Sequence, residues 1–227
     1  MKKPMFSVVP LLILCFILVF YGYSKNYSKS SQPAAVTKGS VVEIDDIKWT
    51  QVLYWDFANG SYPGSWGWGN WDVVDGMLEG RDPDGSISVY FFPFDHDANF
   101  ILETKVQFIQ KTSMHDVETQ LLTRDSRKLN YESGMVLFAK ENNATVRHMA
   151  NKIDYVYETF RVDMEINYRE WYVMRFMVYN GLVKAFVNDV QVYISNNSFP
   201  VGTYHEPHLA VKSGMAKFEY VKILTVK

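Results

Sequence analysis

The run Tyr172-Val173-Met174-Arg175-Phe176-Met177-Val178-Tyr179-Asn180-Gly181-Leu182-Val183-Lys184-Ala185-Phe186-Val187 reads as a β-hairpin. Two stretches rich in β-branched and aromatic residues flank Asn180-Gly181, a pair that tolerates the positive φ of a tight hairpin turn. The pattern repeats along the chain. Asp75-Gly76 separates Trp71–Val74 from Met77–Gly80, and Asn142-Asn143, Asn188-Asp189 and Ser213-Gly214 each stand between a pair of strand-like runs. Ser86–Phe92, Phe100–Ile109, Gly134–Ala139, Tyr155–Met164 and Lys217–Val226 complete about a dozen strands. In Phe100–Ile109 the side chains alternate, Leu102, Val106 and Phe108 on one face and Glu103, Lys105 and Gln107 on the other. This rhythm predicts an all-β, two-sheet antiparallel sandwich with no βαβ units. Lys111–Tyr131 is the longest stretch without a pattern and reads as an excursion or short helix over one edge.

Composition agrees with a folded chain. Of 227 residues, 48% are hydrophobic and 16% aromatic, enough for a sizeable core. The net charge of −2 is unevenly spread: residues 1–40 hold five lysines and no acid, so residues 41–227 hold 18 basic against 25 acidic groups. A seven-charge acidic excess has the wrong sign for neutralising phosphates, which excludes nucleic acid as the expected partner. The one cysteine, Cys15, rules out an intrachain disulfide and a thiolate zinc cluster.

Ahead of the strands, Lys2 and Lys3 precede 21 uncharged residues, Pro4–Ser24. That length suits a transmembrane helix of roughly 20 residues better than a cleaved signal, although the small residues at Gly22-Tyr23-Ser24 leave cleavage after Ser24 as the alternative. Residues 1–24 are thus expected to form a signal anchor or signal peptide, 25–40 a polar flexible stalk, and 41–227 the sandwich. The expected location is a membrane with the C-terminal domain extracytoplasmic, or secretion after cleavage. Asn-x-Ser/Thr acceptors stand at Asn26, Asn59, Asn143 and Asn196.

Two segments carry a family resemblance. One is Tyr54-Trp55-Asp56-Phe57-Ala58-Asn59-Gly60, followed by Trp66 and by Gly69–Leu78. The other runs from Trp171 through Asn180-Gly181 to Gly214-Met215-Ala216-Lys217-Phe218-Glu219-Tyr220-Val221. Together they resemble the concanavalin A-like lectin/glucanase superfamily, in its laminin-G-like and family-16 glycoside hydrolase-like (3-keto-disaccharide hydrolase-type) branches. Asp189 stands where those families have a turn glycine, and Glu219 where they have aspartate. The resemblance implies a jelly roll whose concave sheet can hold a glycan. It also implies a structural calcium ion, with Glu219, the neighbourhood of Asp56, and Gly76 at the corresponding positions; calcium takes hard oxygen ligands of this kind.

A retaining glycosidase needs two carboxylates about 5 Å apart. Glu43-Ile44-Asp45-Asp46-Ile47-Lys48 lacks the second glutamate. Glu165-Ile166-Asn167-Tyr168-Arg169-Glu170 has both glutamates but Asn167 in place of aspartate, so Glu165 and Glu170 are the weak catalytic candidates, and a solvated turn is the preferred reading. The histidines fall in no metal-ligand spacing; in His205-Glu206-Pro207-His208, Pro207 and the three-residue separation spoil the helical geometry a zinc motif needs. A glycan-binding surface has more support. Tyr155, Tyr157, Thr159, Arg161 and Asp163 share one face of their strand, with Val156, Phe160, Val162 and Met164 on the other. Flat rings beside charged groups suit sugar faces and hydroxyls. Arg175 and the Glu103/Lys105/Gln107 face are expected to line the same sheet, and Trp68, between two glycines, is the candidate ring of the first hairpin region. The readings are a non-catalytic carbohydrate-binding module, a glycoside hydrolase, and a surface module that grips another protein.

Overall fold

The computed structural model describes residues 39–226 apart from 59, 61–64, 113–116, 126–127, 140–141, 152–155 and 196–198. Pro4–Ser24 and most of the stalk lie outside the described residues. The chain divides into two units, Met1–Ser31 and Gln32–Lys227, and every described residue belongs to the second.

Sixteen strands, with no helix among the described residues, form two antiparallel sheets. The nine-stranded sheet runs β1 (Val41–Ile44), β2 (Ile47–Trp55), β16 (Gly214–Thr225), β7 (Phe100–Lys111), β12 (Trp171–Tyr179), β13 (Leu182–Val187), β14 (Val190–Ser195). The hairpin β4 (Asn70–Val74) and β5 (Met77–Arg81) joins it through β5, which pairs β16 beyond the end of β2. The seven-stranded sheet runs β11 (Val156–Asp163), β10 (Asn143–Asn151), β9 (Lys128–Phe138), β8 (Glu118–Asp125), β15 (Tyr204–Lys212), β6 (Ser88–Phe91), β3 (Ser65–Trp68).

The turn residues do what their chemistry predicts. Asp75-Gly76, Asn180-Gly181 and Asn188-Asp189 all take positive φ at both positions, and so does Asp45-Asp46, which makes the β1–β2 hairpin. Asp189 reaches φ 63 without being glycine, and its carboxylate receives Arg175 Nη1 at 2.8 Å, a contact glycine would forfeit. The alternation in β7 holds: Leu102, Val106 and Phe108 join the core between the sheets. That core is dense in rings, with Phe100, Phe176, Phe199 and Tyr204 in one group and Trp71, Tyr90 and Phe92 in another.

Lys111–Tyr131 is where the structure corrects the sequence reading. It contains no helix among its described residues; instead Glu118–Asp125 is β8, in the middle of the seven-stranded sheet between β15 and β9. Its inward side chains are Thr119, Leu121, Thr123 and Asp125, so one leucine is all the apolar signal its core face offers.

The β1–β2 hairpin does not simply extend the sheet. Its turn residue Asp45 pairs with Lys184 on β13 at 2.6 Å, four strands across from β2. Leu224, Ile101, Met177 and Lys184 are register neighbours on successive strands, and the first three pack with Trp49, Val42 and Ile44. The hairpin therefore folds over the outer face of the nine-stranded sheet as a strap, and Trp49 beneath it is fully buried.

His96, on an isolated bridge to Tyr204, is buried beside Phe100. Its Nδ1 donates to the Asp97 carbonyl at 2.9 Å and its Nε2 accepts from the Thr123 hydroxyl at 2.8 Å. Burial, with nearby His205, holds its pKa down at about 4 against an ordinary 6.5. The unfolded chain therefore takes up this proton first as pH falls, and stability declines between pH 6.5 and about 4. About 3 kcal/mol is lost in full, about 2 kcal/mol of it by pH 5. His96→Gln is expected to flatten the melting temperature between pH 7 and 5, and wild-type and variant curves running parallel there would remove His96 as the cause.

Candidate functional site

The outer face of the seven-stranded sheet is built by register. Phe91 on β6, His208 on β15, Leu122 on β8, Gly134 on β9, Arg147 on β10 and Thr159 on β11 are successive cross-strand partners, so one transverse row of side chains shares that face. Arg124 and Glu132 form the adjacent row. At the centre Gly134 has φ 152, and a Cβ there would meet the Leu121 carbonyl at 2.1 Å, so the backbone itself is the floor.

Five side chains converge beside that floor. Arg124 directs Nε to Glu132 Oε1 at 3.4 Å and Nη1 to Glu206 Oε2 at 3.3 Å. Its guanidinium lies 4.1 Å from the ring centre of Phe91, a cation–π contact. His208 Nδ1 donates to the Glu206 carbonyl at 3.1 Å, and its Nε2 stands 3.3 Å from Glu132 Oε1. Burial pushes the Glu132 carboxyl up, but the His208 ring and the Arg124 guanidinium outweigh it and hold the group below its ordinary range. Glu132 is therefore a fixed hydrogen-bond acceptor near neutral pH. Trp68 on β3 closes one flank, its ring edge-on to Phe91 with centres 5.9 Å apart and half of its surface exposed.

The arrangement depends on a bulge in β15. Tyr204 and His205 face Asp125 and Arg124, but His208 faces Leu122, so Glu206 and Pro207 together stand opposite the single residue Thr123. Glu206 takes φ 47 there, and Pro207, with no N–H to give a ladder, fits a bulge. The segment whose spacing fits no zinc motif thus places Glu206 on the Arg124 guanidinium and His208 on Glu132, which the same guanidinium holds.

Of the residues proposed from sequence, Tyr157, Arg161 and Asp163 lie on this same face, on the edge strand β11. The Arg147 guanidinium sits 4.4 Å from the Tyr157 ring centre, and Arg161 Nε is 3.6 Å from Asp163. Val156, Phe160 and Val162 point the other way; Phe160 packs on Tyr193 at 4.6 Å. Tyr155 lies outside the described residues. Trp68 is on the face too, but on the opposite edge strand, six strand spacings or roughly 29 Å from β11.

Arg175 and the Glu103/Lys105/Gln107 face do not share this sheet, contrary to the expectation from sequence. They lie on β12 and β7, on the outer face of the nine-stranded sheet. There Glu103, almost fully buried, accepts from Arg175 Nε at 2.6 Å, Tyr220 at 2.9 Å and Lys222 at 3.1 Å. Burial raises the Glu103 carboxyl, yet Lys222 and Arg175 more than compensate and its pKa falls below the ordinary range. Period-2 alternation gives which residues share a strand face, not which sheet the strand joins.

Glu165 and Glu170 fall in the β11–β12 connection, where Arg169 turns with φ 67. That turn brings both carboxylates to one amide: Asn167 Nδ2 donates to Glu165 at 3.2 Å and to Glu170 at 3.4 Å. Both glutamates are exposed, at the edge and away from the Arg124 cluster. Asn143, by contrast, is fully buried in β10, so its Asn-Ala-Thr sequence is closed in the folded chain.

The calcium positions are only partly assembled. Gly76 abuts Ala58, and Asp56 Oδ1 accepts the Ala58 N–H at 3.2 Å, so the first hairpin tip does meet the loop after β2. Glu219, the unpaired residue of a bulge in β16, gives its Oε2 to Lys105 at 2.5 Å. The Lys105 ammonium thus takes the Glu219 carboxylate, and among the described residues no three His, Cys, Asp or Glu side chains cluster to hold a metal.

The two antiparallel sheets form a jelly roll of the concanavalin A-like kind. No protein-family model matches the chain, and no curated protein does. Solved structures do. The carbohydrate-binding module CBM66 from Bacillus subtilis is similar over 70% of this chain and 94% of its own, at 14% identity and a TM-score of 0.56. The endo-β-1,3-glucanase from Pyrococcus furiosus is similar over 82% and 97%, at 11% identity and 0.62. The carbohydrate recognition domain of Emp47p is similar over 86% and 100%, at 12% identity and 0.55. At these identities the likeness is one of fold.

Thermal unfolding in EDTA and in millimolar calcium is expected to give one curve. A melting temperature raised by calcium, with the rise lost in Glu219→Ala, would put the ion at that strand despite Lys105.

Proposed function

We propose that this chain is a carbohydrate-binding module that holds a glycan across the outer face of its seven-stranded sheet. One observation carries the reading: exposed Trp68 and the fixed Arg124–Glu132–His208 cluster stand side by side on one face. An aromatic ring offers a stacking surface for the apolar side of a sugar, and charged groups of set orientation offer strong hydrogen bonds to its hydroxyls. Arg147 and Tyr157 continue the same row toward β11. The similar solved structures, by their names, bind or cleave carbohydrate, which supports the same ligand class here.

Binding without hydrolysis is the better reading. A glycosidase keeps one carboxyl protonated by raising its pKa so that it can serve as the acid. The Glu132 carboxyl is held down instead, which removes Glu132 as that acid. The reading extends to location: Pro4–Ser24 anchors the module in a membrane, with the sandwich on the extracytoplasmic side, because 21 uncharged residues are long enough to span.

The test is migration of the full chain, in detergent, through native gels cast with soluble β-1,3-glucan, mixed-linkage β-glucan or galactomannan. At least one polymer is expected to retard it. Trp68→Ala is expected to weaken that retention about three- to tenfold, the worth of one stacking contact, with little change in melting temperature. Unretarded migration in every gel would end the reading, and release of reducing ends from a retained polymer would make the chain a hydrolase. In cells the chain is expected in the membrane fraction with its sandwich open to external protease; soluble chain starting at Lys25 would show a cleaved leader instead.

A further inference from the structure

A second cleft lies around the corner from Trp68, on the outer face of the nine-stranded sheet. It has a volume of about 580 Å³, and Asn70, Asp72, Glu79, Arg81, Gln110 and Met215 line it. That size is in the range of small-ligand pockets. Alternation puts Asn70 and Asp72 of β4 and Glu79 and Arg81 of β5 on this outer face, since Trp71 and Leu78 between them point into the core.

The walls are set before any ligand arrives. Asp82 is buried and accepts the Ser213 N–H at 2.7 Å through Oδ2 and the Ser86 hydroxyl at 3.2 Å through Oδ1. Its own N–H donates to Gly214 at 2.8 Å, and its carbonyl accepts the Thr112 hydroxyl at 2.5 Å. A bulge at Ile109 shifts the β7 register so that Gln110 faces Met215, which aims the amide into the cleft wall. Glu79, almost wholly buried, is held by Arg81 and lies 3.8 Å from Lys217.

The charge of this lining decides the ligand class. Asp72 and Glu79 are balanced by Arg81 and Lys217, so neither a cation nor an anion is preferred. What remains is a mixture of donors and acceptors, two of them side-chain amides, beside the apolar Met215. Such a surface fits groups that both donate and accept, which is what sugar hydroxyls do.

Its placement links it to the first site. One residue, Gly69, separates Trp68 from Asn70, so their Cα atoms are at most about 7 Å apart. Gly69 has φ 91, and a Cβ there would fall 2.0 Å from the Ser88 hydroxyl oxygen, so the corner closes only with glycine. We propose that this cleft binds further neutral sugar units of the same glycan, carrying it from the Trp68 face around the edge of the sandwich. The inference rests on the glycan-binding reading above.

The same polysaccharide gels test it with the full chain. Asn70→Ala/Gln110→Ala removes two exposed amides that do not contribute to the core. It is expected to weaken retention about tenfold, as loss of two modest hydrogen bonds would, at an unchanged melting temperature, and Trp68→Ala added to it is expected to remove what remains. Wild-type retention in the double variant overturns the cleft while leaving the outer-face reading intact. Retention lost with the amides but indifferent to Trp68→Ala overturns the outer-face reading and keeps the cleft. A wild-type chain retarded by no polymer overturns both.

Discussion

The sandwich depends on one strand being paired along both edges. β16 bonds to β7 over its whole length, while its other edge is shared between β2 and the β4–β5 hairpin. The first strands, the first hairpin and the middle of the chain therefore meet on the last strand. Such contacts are among the most distant in sequence that the chain can make, and topologies of this kind fold slowly for that reason. Two bulges in this pairing have local consequences: one frees Glu219 to meet Lys105, and the other turns Gln110 toward the second cleft.

The two sheets carry polar groups on their outer faces in different ways. On the nine-stranded sheet the charges answer one another. Glu103 is satisfied by Arg175, Tyr220 and Lys222, Lys105 by Glu219, and Lys184 by Asp45. On the seven-stranded sheet the cluster is tied at longer distances, 3.3 to 3.4 Å, and stands beside an exposed ring. Long contacts leave hydrogen-bonding capacity for something else, whereas short ones leave little. That contrast separates the charge pairs of β7, β12 and β13, which are spent on one another, from the row beside Trp68.

Much of the fold was legible because period-2 patterning and turn chemistry are local. Asn180-Gly181, Asp75-Gly76 and Asn188-Asp189 are all turns with positive φ, and β13 spans the residues the pattern predicted. β8 was not legible, for a physical reason that concerns the site. Its outward residues include Glu118, Gln120 and Arg124, and its inward ones are mostly Thr and Asp, so neither face shows an apolar rhythm. Arg124, the group on which the cluster turns, sits on the strand that pattern reading passed over. Glu206 and His208 were hidden differently: their common direction comes from a bulge, which a regular spacing rule cannot foresee. Tyr157, Arg161 and Asp163 were readable because β11 alternates cleanly, while the assignment of Arg175 to their surface failed because sheet membership is a long-range property.

The strap over the nine-stranded sheet bears on how the domain takes a mechanical load from its N-terminal side. The pairing nearest that end joins Ser40 and Gly39 to Gln51, then Val41 to Thr50. A pull on residue 39 away from the sheet meets these pairs one after another, as in a zipper, and reaches the Asp45–Lys184 contact at the hairpin tip last. β2 remains bonded to β16 throughout, since its pairs from Thr50 to Trp55 lie on its other edge. Peeling β1 would release about four residues, roughly 14 Å of slack, before any strand of the two sheets between β2 and β14 is disturbed. The first hairpin is in that sense a compliant coupling in series with a stiff body.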